Sequence, residues 1–83
     1  MNKLTIKEIE RHGGLRTMRI GGFEPGELSA LKGMKHLEAK DKVLDLLDER
    51  NNGTGTAWHN GYGAYGCWFD NEFAYMNIGI SCD

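Results

Sequence analysis

The sequence predicts an α+β fold: a short N-terminal helix and strand, then central helical segments packed on a C-terminal three-stranded antiparallel sheet. Three observations carry this expectation. Ala39, Val43, Leu44, Leu46 and Leu47 fall on one arc at ~100° per residue, the mark of an amphipathic helix over 37–50. Residues 55–81 are rich in aromatic and aliphatic side chains and are punctuated by Asn60-Gly61 and Asp70-Asn71, as in strands joined by tight turns. The chain has 83 residues, which suits one compact domain spanning 1–83.

Taken in order, Thr5-Ile6-Lys7-Glu8 has the form of a capping box, with Thr5 as N-cap. It predicts a helix of about two turns, with Ile6 and Ile9 inward and Gly13-Gly14 as its stop. Lys3, Lys7 and Arg11 then form one exposed stripe. Leu15 to Ile20 reads as a short strand between Gly13-Gly14 and Gly21-Gly22. Pro25 suits the first turn of a helix containing Leu28 and Leu31, and Gly33 interrupts it. The helix over 37–50 carries Glu38, Asp41, Asp45, Asp48 and Glu49 opposite its apolar arc, and Asn51-Asn52-Gly53 stops it. Three strands follow at 55–60, 63–69 and 72–81. Whether residues 15–20 join them is left open.

Composition excludes several classes. Ten Lys+Arg against twelve Asp+Glu give a net charge of −2, too even to announce a nucleic-acid or membrane partner. No apolar run approaches the ~20 residues of a membrane helix. Met1-Asn2-Lys3-Leu4-Thr5 lacks the apolar core of a signal peptide, so the expectation is a cytoplasmic protein. The cysteines, Cys67 and Cys82, make no secreted-type disulfide framework. No zinc-ligand spacing, phosphate loop or nucleophile elbow is present, and no cofactor or metal is expected. Glycine stands out at 12 of 83, about twice its usual ~7% share. Seven of the eight aromatics lie in 53–83, a stretch that contains no Lys or Arg.

Register arguments place the aromatics. With Asp70-Asn71 as a two-residue loop, Phe69 pairs with Glu72 and Cys67 with Ala74. One face then collects Trp58, Tyr65, Cys67, Phe69, Ala74, Met76, Ile78 and Ile80, the expected core. The other collects Ala57, His59, Ala64, Gly66, Trp68, Phe73, Tyr75 and Asn77. No second apolar helix is left to cover this face, and the N-terminal helix reaches only part of it. Trp68, Phe73 and Tyr75 are therefore either sheet formers partly roofed by the N-terminal segment or an exposed interaction patch.

Candidate chemistry is sparse. Cys67 and His59 fall on opposite faces, which argues against a nucleophilic dyad. Cys67 and Cys82 lie too far apart in register for a disulfide. His12, at a helix end, and His36, beside Lys32 and Lys35, read as solvated. The acidic stripe is spread over about 15 Å of helix, so its carboxylates do not converge on a cation. Gly13-Gly14 and Gly21-Gly22 read as turns rather than phosphate loops. A nucleic-acid role would use Lys3, Lys7, Arg11, Arg16 and Arg19, but their separation from the aromatic sheet argues against a base-stacking surface.

In size and character the chain resembles the small phage-encoded proteins that disable host machinery, the anti-CRISPR and anti-restriction proteins. The features carrying the resemblance are the acidic stripe on 38–49 and the uncovered Trp68, Phe73 and Tyr75. It departs from the DNA-mimic subtype, because −2 is too little charge to imitate a duplex. The resemblance implies action by binding and blocking. The expected function is accordingly a non-catalytic module that binds another protein or a ribonucleoprotein complex, as a monomer or homodimer. Its expected binding residues are Trp68, Phe73, Tyr75, His59, Asn77, Glu38, Asp41, Asp45 and Asp48. The alternatives are a nucleic-acid-binding domain using the basic N-terminal helix, and a structural homodimer that buries the aromatic face against its own copy.

Overall fold

The computed structural model describes residues 3–61 and 64–79, with only the backbone of residues 57 and 59–61. The chain begins with a hairpin of β1 (Thr5–His12) and β2 (Leu15–Gly21). Helices α1 (Pro25–Lys32), α2 (His36–Arg50) and α3 (Thr54–Gly61) follow, and then β3 (Ala64–Phe69) and β4 (Ala74–Gly79). The four strands form one antiparallel sheet in the order β1-β2-β4-β3. The Cα radius of gyration is 11.8 Å, matching the ~12 Å expected for a compact chain of this length.

The expected N-terminal helix is a strand. Gly13-Gly14 is a hairpin turn, with Gly13 at φ 56° and His12 opposite Leu15. A two-turn helix is marginal by itself, whereas a strand here gains a full ladder against β2. The Lys3, Lys7 and Arg11 stripe therefore does not exist. Lys7 lies opposite Arg19, while Arg11, beyond a bulge between Glu8 and Glu10, lies opposite Arg16 on the other side of the sheet. Residues 15–20 do join the sheet, as its inner strand β2 between β1 and β4.

The expected strand at 55–60 is helix α3. Asn52 at φ 55° and Gly53 at φ 86° turn the chain sharply after α2. Asp48 then accepts from the Thr56 N–H at 2.6 Å and from its hydroxyl at 2.8 Å, satisfying donors at the start of α3. Asn60-Gly61 accordingly closes a helix instead of turning a hairpin. The sheet has four strands instead of the expected three, because the β1–β2 hairpin adds two while residues 55–60 leave it.

The loop between β3 and β4 is also longer than expected. Phe69 lies opposite Ala74, Trp68 opposite Tyr75 and Cys67 opposite Met76. The pairing is thus shifted by two residues, which preserves every side chain's face. A bulge between Ala64 and Gly66 changes the strand's start, so Ala64 is buried and Tyr65 is exposed, the reverse of the expectation. Ile80, Ser81 and Cys82 lie outside the described residues.

All three helices occupy one side of the sheet. The core joins Leu31, Val43, Leu44, Leu46 and Leu47 of the helices to Met18, Ile20, Cys67, Ala74, Met76 and Ile78 of the strands. Phe69 and Trp58 pack at its margin, Trp58 from α3. At the rim, the Asn51 side chain accepts from the Leu4 N–H at 3.0 Å and donates to the Leu4 carbonyl at 2.8 Å. It ties the start of the hairpin to the end of α2. Arg50 is nearly buried and makes a two-pronged ion pair with Glu27 of α1. Glu27 also accepts from the Glu24 N–H at 2.9 Å, which fixes the entry to α1.

Candidate functional site: the open face of the sheet

With the helices on one side, the other face of the sheet carries no helix among the described residues. A row of directly opposed residues crosses it: Trp68 of β3, Tyr75 of β4, Arg19 of β2 and Lys7 of β1. The next row holds Gly66, Asn77, Thr17 and Glu10. Trp68 and Tyr75 stack with ring centroids 5.6 Å apart and planes 9° from parallel. Phe73 meets Tyr75 edge-on at 6.4 Å. The Arg19 guanidinium lies 4.6 Å from the centre of the Phe73 ring, within cation–π range. Phe73 rests on Gly21, where a Cβ would come within 2.9 Å of the ring. Thr17 donates its hydroxyl to Asn77 Oδ1 at 2.9 Å.

The loop after β3 fixes this cluster. Asp70 Oδ1 accepts from the backbone N–H groups of Glu72 at 2.8 Å and Phe73 at 2.7 Å. Asp70 Oδ2 accepts the Tyr75 hydroxyl at 2.6 Å. The Tyr75 hydrogen bond, helped by the two backbone donors, holds the Asp70 carboxyl below its ordinary range. The same bond, with some desolvation, raises the Tyr75 phenol. Tyr75 is thereby pinned between Trp68 and Asp70. A shallow groove lined by Arg19, Asp70, Asn71, Phe73 and Tyr75 runs beside it.

The structure brings Trp68, Phe73, Tyr75 and Asn77 together on this face. It does not bring His59 there: residue 59 belongs to α3, and its side chain lies outside the described residues. Glu38, Asp41 and Asp45 are exposed on α2, whose buried residues face the sheet, so they lie on the opposite side of the molecule. Asp48 is committed to Thr56. A single flat partner surface therefore cannot cover the aromatic face and the acidic stripe together.

Lys7 and Arg19 read from the sequence as part of a basic group separate from the aromatic sheet, and Thr17 is not singled out there; the strand pairing places all three on the aromatic face. The argument that the aromatic sheet has no basic residue nearby is overturned by the pairing of β2 with β4. Gly13-Gly14, read as a hairpin turn, would have pointed to them. Cys67 is buried beneath the helices, and burial raises its thiol to about 11, against a small opposite pull from Lys40. It is thus a core side chain rather than an available nucleophile. Among the described residues no group of three or more His, Cys, Asp or Glu is placed to hold a metal ion. No described helix is long and apolar enough to cross a membrane. No family model matches the chain, and neither the curated proteins nor the solved structures contain a match. What the face offers chemically is stacking, a cation and fixed hydrogen-bonding groups.

Proposed function

We propose that the chain is a non-catalytic binding module that recognises another protein through the open sheet face and acts by blocking it. This is the mode of the small phage-encoded inhibitors of host defence that it resembles. The observation that supports the reading is the immobilised Trp68–Tyr75–Phe73 cluster. Interface anchors of this type bind well when their rotamers are already fixed, because little side-chain entropy remains to be lost. Here stacking, the Arg19 contact and the Asp70 hydrogen bond fix them. The near balance of charge on the face, Lys7 and Arg19 against Glu10 and Asp70, also suits a protein surface.

A second reading is favoured by the same row. Trp68 and Tyr75 beside Arg19 and Lys7 have the composition of a single-stranded nucleic-acid platform, aromatic stacking with adjoining cations. Capture of tagged protein from bacterial lysate at two salt concentrations separates them. The first reading expects a stoichiometric protein that survives high salt and is lost with Trp68→Ala/Tyr75→Ala. The second expects nucleic acid recovered only at low salt, lost with Arg19→Glu. A captured protein retained by the Trp68/Tyr75 double variant overturns the site assignment.

A further inference from the structure

We propose that the partner meets the open face with an acidic segment, one carboxylate of which lies between Arg19 and Lys7 while a neighbouring apolar side chain packs on Trp68. This deepens the reading of the face as a protein-binding surface and rests on it. The observation is a like-charge pair. Arg19 and Lys7 lie directly opposite each other on β2 and β1. Like charges in that relation destabilise a sheet. Among the described residues no carboxylate comes within ion-pair distance of either side chain. The helix side of the sheet holds the same arrangement, and there the chain neutralises it. Arg11 and Arg16 are also directly opposed on β1 and β2. Glu8 Oε1 bridges them, 2.9 Å from the Arg11 guanidinium and 3.9 Å from that of Arg16.

The charges on the open face balance in sum, but its acids are committed elsewhere. Glu10 Oε1 lies 2.8 Å from His12 Nε2. Asp70 accepts from Glu72, Phe73 and Tyr75. Glu72 lines the groove beside Arg19 and forms no ion pair with it. The face thus lacks the group that Glu8 provides on the other side, and a carboxylate of the partner supplies it. Arg19 is prepared for one. Its guanidinium rests 4.6 Å from the centre of the Phe73 ring, and that ring is seated on Gly21. A ring contact fixes the cation and leaves its N–H donors free for two-pronged binding of a carboxylate. Trp68, 44% exposed, lies in the same row two strands from Arg19. That is about 10 Å at ~4.8 Å per strand, a span that an extended segment crossing the strands covers in about three residues.

Fluorescence anisotropy with labelled synthetic polymers tests this. The probes are poly(Glu,Tyr), which carries acids and rings, its basic counterpart poly(Lys,Tyr), and oligo(dT). Each is titrated with the native chain, Lys7→Glu, Arg19→Gln and Trp68→Ala/Tyr75→Ala. The native chain should bind poly(Glu,Tyr) at least about tenfold more tightly than poly(Lys,Tyr), and Lys7→Glu and Arg19→Gln should each lose about tenfold or more of that affinity. Lys7 is exposed and its side chain has no partner among the described residues, so Lys7→Glu should keep the native circular dichroism spectrum and answers even if Arg19→Gln disturbs Phe73. Equal binding of the two polypeptides, or undiminished affinity in both charge variants, overturns the acidic segment. If Trp68→Ala/Tyr75→Ala still abolishes that binding, the protein-binding face stands without it. Binding that survives the Trp68/Tyr75 variant, or no binding of either polypeptide, removes both. Tighter binding of oligo(dT) than of poly(Glu,Tyr) contradicts the proposal in favour of nucleic acid.

Discussion

Asp70 is an exposed carboxylate that organises an aromatic surface, and its chemistry gives a pH dependence with a definite sign. Its folded-state pKa lies below the ordinary value of 3.8. The ordering it provides is therefore fully present above that value and is lost as pH falls through the lowered one. Near-ultraviolet circular dichroism of the stacked Trp68–Tyr75 pair should hold steady down to about pH 4 and decline below it. In Asp70→Asn the Tyr75 phenol should titrate closer to 10.0, because its charged acceptor is gone. Spectrophotometric titration of the tyrosines reads this, and an unmoved curve would remove Asp70 from the account. Cys67 behaves oppositely, since burial raises its thiol from 9.0 to about 11. In a Cys82→Ser background, alkylation near pH 8 should be at least ~100-fold slower than for an exposed thiol and should accelerate on unfolding.

At the scale of elements, α3 depends on one close approach. A Cβ at Gly55 would run into the Leu44 carbonyl, so α2 and α3 meet backbone to backbone. Gly55→Ala should cost about 2–3 kcal/mol, read by denaturant melts, because a backbone atom cannot rotate away. Asp48→Ala, which removes the acceptor for Thr56, should cost about 1 kcal/mol. These contacts explain why residues 55–60 were illegible as a helix. The local pattern around Trp58 is short and ambiguous, and its helicity is imposed by Asp48 and Leu44 from the preceding helix. By contrast, α2 was legible because its apolar arc repeats over 15 residues. Helix α1 was legible from Pro25 and the spacing of Leu28 and Leu31. β1 was misread because Gly13-Gly14 serves equally as a helix stop and a hairpin turn, and local sequence does not choose between them.

At the scale of the molecule, two layers divide the surface into a helical side that carries the Glu38, Asp41 and Asp45 stripe and a sheet side that carries the aromatics with Arg19 and Lys7. Half of the candidate site was legible because strand parity survives a two-residue shift in loop length: Trp68, Tyr75 and Asn77 stay on one face in either register. Arg19 and Lys7 were not legible, since their place depends on β2 crossing 54 or more residues of chain to pair with β4. That pairing also removes the charge argument against nucleic acid and makes salt dependence informative. Asp41→Lys/Asp45→Lys should leave binding at the sheet face within about twofold, because α2 presents these residues on the far side. Trp68→Ala/Tyr75→Ala should cost the fold about 0.5–1.5 kcal/mol for the ring pair in addition to the partial burial of each ring, leaving a folded chain by circular dichroism while abolishing capture. The most direct measurement is acrylamide quenching of Trp68 fluorescence in a Trp58→Phe chain, free and with the captured partner. The account predicts ready quenching in the free chain and shielding in the complex. An indole already shielded when free, or equally quenched in both, would contradict an open binding face.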